Sequence, residues 1–168
     1  MTDPQKQILS AEKINKILRR IAIQIVENNY GQEKIVLVGV EGQGDQMAGI
    51  IQNEIVALGG SMQVERAMIS IDKSRPVRSE ITLNRPIEQL AGKPVIVVDD
   101  VMNTGRTQAY CLSFLMQVSM AKVETAVLVN RSHTRYPISA TYSGFELSTT
   151  LDEHIEVRLE SETGAYLY

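Results

Sequence analysis

Apolar residues along the chain fall into two alternating patterns. In the first they recur at helical spacing. Ile14, Ile17, Leu18, Ile21 and Ile25 share one stripe, with Lys13, Lys16, Arg20 and Glu27 elsewhere around the axis, which predicts an amphipathic helix. Ser10 is its expected N-cap, Asn28 its approximate end and Gly31 a natural stop. In the second pattern the apolar residues are continuous. "KIVLVGV" predicts a buried strand over Ile35–Val40, Lys93 to Val98 predicts another and "KVETAVLVN" a third. "EGQGDQMAG" reads as a tight glycine loop opening a second helix, about Asp45 to Leu58 and closed by Gly59-Gly60. "MQVERAMISI" alternates like a strand, "ITLN" suits a short returning strand, and a further helix is expected from about Arg106 to Ser119. "TYSGFEL" and "HIEVRLE" are shorter, weaker strand patterns.

Buried strands alternating with amphipathic helices imply an α/β fold, a mostly parallel sheet with helices on both faces. Such sheets take ligands beyond the carboxyl ends of their strands, where strand order reverses. Two glycine-containing loops and an acidic pair fall at expected carboxyl ends.

The chain has 168 residues, which suits a single domain over 1–168 that buries roughly two-thirds of its unfolded surface. Seventeen basic and twenty acidic residues leave a net charge of −3, so bulk charge gives no reason to expect a nucleic-acid binder. The single cysteine, Cys111, excludes an internal disulfide and is expected to be a buried thiol on a helix. The N-terminal "MTDPQKQILS" lacks the apolar run of a signal peptide, and no apolar segment approaches the roughly 20 residues of a membrane span. A cytoplasmic protein without membrane contact is expected.

The richest chemistry lies in "VIVVDDVMNTGRT", Val95 to Thr107. A helix opening directly after a strand presents unpaired N–H groups and the positive end of its dipole. Gly105 lets backbone approach a ligand, and Thr104 and Thr107 add hydroxyls, so the turn suits a phosphate. It lacks the spacing and lysine of a P-loop. Asp99 and Asp100, just upstream, can accept hydrogen bonds from hydroxyls and hold Mg²⁺ through water. An arbitrary Asp-Asp is most simply a solvated turn. The apolar run before this one and the Thr-Gly-Arg-Thr after it favour a ribose 5-phosphate site.

This stretch resembles the phosphoribosyl pyrophosphate (PRPP) motif of type I phosphoribosyltransferases. "RIAIQIVENN", "IVLVGV" and "AVLVNRSHTRYPISATYSG" extend the resemblance to the bifunctional pyrimidine operon regulator and uracil phosphoribosyltransferase family, over roughly Ile8 to Leu159. The resemblance implies the type I fold with a small hood and lid region. It assigns Asp99 and Asp100 to the ribose hydroxyls beside Mg²⁺, and Asn103, Thr104, Gly105, Arg106 and Thr107 to the 5-phosphate. Glu41, Gly42, Gln43 and Gly44 take the place of the pyrophosphate loop, with Glu41 and Gln43 where the family usually carries lysine and arginine. Lys73, Arg75 and Arg78 in "DKSRPVRSE" become lid cations, and Arg131 and His133 fall on the base side. Asn103 stands where purine enzymes carry an acid, which favours a pyrimidine base or nucleotide. Thr134 and Ser139 replace arginines of RNA-binding members, and Arg19 and Ile23 replace polar residues of the first helix, so RNA is possible but disfavoured. A homodimer or higher oligomer is implied. The expected activity is transfer of phosphoribose from PRPP to uracil with Mg²⁺. The alternative is a catalytically weak nucleotide sensor or RNA-binding regulator.

Overall fold

The computed structural model of the protein describes residues 5–77, 80–150 and 152–168. Its central sheet is built on the predicted strands β2 (Lys34–Val40), β3 (Gln63–Ser70), β5 (Pro94–Met102), β6 (Lys122–Asn130) and β7 (Tyr142–Glu146). The two-residue β4 (Thr82–Leu83) returns antiparallel to β3, and every other pairing in this sheet is parallel. Strand order is β4-β3-β2-β5-β6-β7. From β2 the chain moves outward to β3, then returns to the other side of β2 at β5. The order therefore reverses between β2 and β5, and a crevice opens past their carboxyl ends.

Alternation along the central strands decides which helix covers which face. Ile35, Leu37, Ile96 and Val98 pack with α1 (Ala11–Asn28) and α2 (Gln43–Ala57), through Ile14, Leu18, Ile21, Ile25, Met47 and Ile51. Val36, Val38, Val95 and Val97 face the other way, onto Cys111 and Leu115 of α3 (Arg106–Leu115) and Leu90 of a short 3-10 turn. Each fully buried aliphatic side chain contributes about 1.5–3 kcal/mol. Truncating one such as Ile21, fully enclosed, to alanine would cost about 2–5 kcal/mol. Ser10 caps α1 as expected, its Oγ accepting from Lys13 N–H at 3.3 Å.

Three expectations about element limits need correction. The helix expected from Asp45 begins at Gln43, so Gln43 and Gly44 lie in its first turn and only Glu41 and Gly42 remain in the loop. A Cβ on Gly44 would sit 2.7 Å from Val98 O and 3.2 Å from Asp99 Cα. The missing side chain thus lets α2 start hard against β5. The helix expected to reach Ser119 stops at Leu115. β5 runs on to Met102, so the acidic pair belongs to the strand rather than following it.

A second, smaller sheet was not legible as such. β1 (Lys6–Ser10), β8 (Ile155–Arg158) and β9 (Gly164–Leu167) pair antiparallel in the order β1-β9-β8. Leu9, Ile155, Val157, Leu159 and Ala165 join it to the α1/α2 side of the core. Gln43 Oε1 accepts from Leu159 N–H at 3.0 Å, fixing this hood to the start of α2. β6 and β7 are joined without a helix. Instead Arg135 and Tyr136 N–H donate to Thr104 O at 2.9 and 3.1 Å, which lays this connection beside the turn before α3.

Candidate functional site

A cleft of about 540 Å³ opens at the carboxyl end of β5. One wall is the strand end and turn: Asp100, Val101 and Asn103 through Gln108. Arg135 and Tyr136 border it from the β6–β7 connection, His154 and Ile155 from the hood, and Lys73 from the loop after β3.

The two acids diverge, as neighbours on a strand must. Asp100 lines the cleft and is half-buried. Asp99 is 1% exposed, with Gln108 Nε2 donating to its Oδ2 at 3.3 Å and Lys73 Nζ 2.9 Å from its Oδ1. Lys73 Nζ also lies 3.6 Å from Asp100 Oδ1. Burial and then the Asp100 charge push the Asp99 carboxyl up to about 7, against the pull of Lys73. Burial works against the Lys73 charge, but the two carboxylates outweigh it and its pKa is raised.

The turn after β5 leaves backbone N–H groups open to an anion. Gly105 is the N-cap of α3 with φ +83°, in the left-handed region, and a Cβ there would lie 3.3 Å from Ile138 Cβ. As a glycine, the N-cap residue supplies no side-chain cap of its own to this helix. Its first intrahelical bond runs from Ala109 N–H to Gly105 O at 2.9 Å, so the N–H groups of Thr107 and Gln108 belong to the unpaired first turn that favours anions. Arg106 N–H reaches Thr104 Oγ1 at 3.3 Å, and Arg106 Nη2 donates to Lys73 O at 2.9 Å, linking this turn to the loop above it.

The other expected site residues are placed unequally. Glu41, Gly42, Gln43 and Gly44 are outside the cleft lining among the described residues, and the Gln43 side chain is engaged with the hood. Of the lid residues, Lys73 sits on the acids. Arg75 lines a neighbouring hollow of about 350 Å³ with Ser74, Pro76, Val77 and Arg106. Arg78 lies outside the described residues. Arg131 is 6% exposed, and its guanidinium is bonded to protein atoms: Asn103 Oδ1 at 2.9 Å, Thr149 Oγ1 at 2.7 and 2.9 Å, Thr150 O at 3.1 Å and Glu153 O at 2.6 Å. His133 Nε2 is 3.2 Å from the same Thr149 hydroxyl. Cys111 is buried behind the acids; burial pushes its thiol up to about 12, so it stays protonated at neutral pH.

Sequence reasoning singled out none of Gln108, Arg135, Tyr136, His154, Ile155 and Thr149. Gln108 carried a faint signal, since it extends the Thr-Gly-Arg-Thr run into the first turn of α3. The hood residues His154 and Ile155 carried only the weak strand pattern of "HIEVRLE", because the β1–β9 pairing that completes their sheet spans most of the chain length.

Comparison with known proteins agrees with this geometry. The phosphoribosyl transferase domain family matches residues 4–162. The chain is 36% identical to the Bifunctional protein PyrR of Deinococcus radiodurans, over 98% of this chain and 93% of that protein. It is 32% identical to the Pyrimidine operon regulatory protein of Lactococcus lactis, over 95% and 93%. Among solved structures, a hypoxanthine phosphoribosyl transferase of Trypanosoma cruzi superimposes with a TM-score of 0.74 at 17% identity, covering 86% of this chain and 79% of that one. A hypoxanthine-guanine phosphoribosyltransferase of Bacillus anthracis does so with a TM-score of 0.70 at 21% identity, covering 84% and 81%. The chain therefore belongs to the phosphoribosyl transferase domain family and has the type I phosphoribosyltransferase fold.

Proposed function

We propose that this protein transfers the phosphoribosyl group of PRPP to uracil, giving UMP and pyrophosphate. The observation that carries the reading is the acid pair on β5 followed closely by a helix N-terminus whose N-cap is a glycine, at the point where strand order reverses. The name of one curated relative, the Pyrimidine operon regulatory protein of Lactococcus lactis, points to pyrimidines, and Asn103 gives no acid for a purine.

In this reading the N–H groups at the start of α3, with Thr104 and Thr107, hold the 5-phosphate. Asp100 accepts from a ribose hydroxyl, and Asp99 stands behind it, oriented by Gln108. The base enters between the β5 end and the hood, beside Tyr136, His154 and Ile155. A ring nitrogen of the base then bonds to ribose C1 as the C1–O bond to pyrophosphate breaks. The bonding electrons leave with pyrophosphate, and the base releases its N–H proton. This chain's contribution is to align the two reactants and to lower the cost of the departing charge. Lys73, Arg106 and Arg135 are the cations that line the cleft and could do so.

The acids fit Mg²⁺, since they already hold one cationic group. Among the described residues no third His, Cys, Asp or Glu completes a protein cage, so water and PRPP oxygens would supply the remaining ligands. When bound, the ion would offset charge on the pyrophosphate.

The test is UMP formation from uracil, PRPP and Mg²⁺ by the purified protein. Turnover with uracil supports the reading. Turnover with hypoxanthine or guanine alone would move the activity to purines, and no turnover with any base would remove it. A second reading, a nucleotide sensor with little catalysis, has one observation in its favour. Glu41 and Gln43 stand where cations would bind pyrophosphate, and neither lines the cleft. UMP binding by calorimetry without turnover would select it. Binding to RNA would have to draw on a local basic surface despite Thr134 and Ser139; a gel shift with pyrimidine-operon leader RNA tests that.

A further inference from the structure

Arg131 is a buried cation whose hydrogen bonds all go to neutral oxygens, with the Glu153 carboxylate near enough to feel its charge, and those oxygens come from two separate segments beside the cleft. On one side Nη1 donates to Asn103 Oδ1, in the turn assigned to the 5-phosphate. On the other, Nε and Nη2 bind the Thr149 hydroxyl, and Nη2 also binds the carbonyls of Thr150 and Glu153. Glu153 O is the last backbone oxygen before His154 and Ile155, the hood residues that line the cleft. Arg131 itself does not line it among the described residues. A guanidinium taken from water onto neutral acceptors is costly, and this one uses its planar fork to hold two loops at a fixed separation. Ser132, the next residue, sits at φ +58°, a backbone state that a non-glycine residue rarely adopts. Its N–H is held by Asn130 Oδ1 at 3.1 Å, which fixes the exit of β6.

We propose that Arg131 is a positioning residue that fixes the hood wall of the cleft against the phosphate turn, so that a nucleotide held by its phosphate meets an ordered wall for its base. Arg131 acts through Thr149, Thr150 and Glu153 and does not touch the base. The inference rests on the phosphoribosyl reading of the cleft. Ordering a pocket segment in advance removes that cost from the binding step. Loss of Arg131 therefore affects the part of the ligand that meets the hood and spares the part that meets α3.

Two ligands separate these contributions. Ribose 5-phosphate carries the sugar phosphate alone, and UMP adds the base. Calorimetric titrations of both are compared in the wild type, Arg131→Gln and Thr149→Val, with circular dichroism melts to confirm folding. Thr149→Val leaves the guanidinium in place and removes the hydroxyl that anchors it, together with that hydroxyl's contact to His133. The expected result is at least about a tenfold loss of UMP affinity in each variant, with ribose 5-phosphate affinity held within about threefold. Equal losses for both ligands would overturn the proposal, since Arg131 would then support the fold or the phosphate turn as a whole. Unchanged UMP binding in Thr149→Val would also overturn it, whether or not Arg131→Gln binds weakly, because Arg131 would then act without its hood anchor. If Arg131→Gln fails to fold, Thr149→Val decides alone. A wild type that binds neither ligand is a different failure: it removes the phosphoribosyl reading, and this inference with it.

Discussion

Replacing Asp99 with asparagine is expected to make the metal-free protein more stable at pH 8 while removing a group the ligand needs. The native Asp99 carboxyl is raised to about 7 from 3.8 by burial first and Asp100 second. A group with a raised folded-state pKa favours folding fully below its unfolded pKa, and that benefit is lost as pH rises through the folded value. For Asp99 the window runs from about pH 4 to above pH 7. The full difference corresponds to about 4 kcal/mol at 1.36 kcal/mol per unit. Between pH 5 and pH 8 the native protein must ionise a carboxyl that the unfolded chain has already ionised, a loss of about 2–3 kcal/mol. Asparagine has nearly the same shape, and its Oδ1 can still accept from Asp100 N–H, a bond of 3.0 Å in the native chain. It cannot ionise, so this loss is absent from the variant. Thermal melts of both proteins at pH 5, 6, 7 and 8 in the presence of a chelator read the effect. Relative to the wild type, the variant's midpoint should rise by roughly 5–10 °C between pH 5 and pH 8. If the two midpoints move in parallel over that range, Asp99 is ionised throughout and the argument from burial is refuted.

Three further outcomes are expected. Lys73→Met removes the ammonium 2.9 Å from Asp99 and should raise the Asp99 carboxyl beyond about 7; an NMR titration of carboxyl-labelled aspartate checks this, and an unmoved midpoint contradicts it. Gly105→Ala places a side chain at φ +83° and 3.3 Å from Ile138 Cβ, for a cost of about 1–3 kcal/mol. Its urea midpoint should fall and its affinity for ribose 5-phosphate should weaken. Glu65 is lowered to about 2, by Lys34 first and also by Lys93, so it favours folding above its ordinary pKa near 4.5 and the benefit is lost as pH falls through about 2. After allowance for solvent screening, Glu65→Gln should cost about 1 kcal/mol at pH 7, with the gap in urea unfolding free energy narrowing below pH 4.5.

The large sheet was legible because its central strands are buried on both faces, and runs such as Ile35–Val40 leave little else for the chain to do. The site was legible where its parts are contiguous. Asp99, Asp100 and Asn103 to Thr107 are one short segment, and a strand that becomes a helix within it forces them to one end of the sheet. The loop after β2 was misjudged because Gly44 reads as a loop residue. Its actual reason is packing, since only a residue without Cβ lets α2 begin against Val98 and Asp99. The resemblance implied a hood, but the pairing that builds it was not legible, because β1 and β9 are short, partly polar and pair across nearly the whole chain: Lys6 faces Leu167. No local pattern encodes such a pairing. Arg131 was singled out for its neighbourhood, but its bonds to Asn103, Thr149, Thr150 and Glu153 depend on loops that meet only in the folded chain.

The central claim is that one cleft holds a sugar phosphate between the acid pair and the start of α3. A crystal structure of the protein with PRPP and Mg²⁺ tests it most directly. The expected density places the 5-phosphate within hydrogen-bonding distance of the N–H groups of Thr104 to Thr107 and a ribose hydroxyl on Asp100, with Lys73 displaced from the acids. Density for PRPP elsewhere, with Lys73 still seated on Asp99 and the turn at Gly105 bare, would contradict the account.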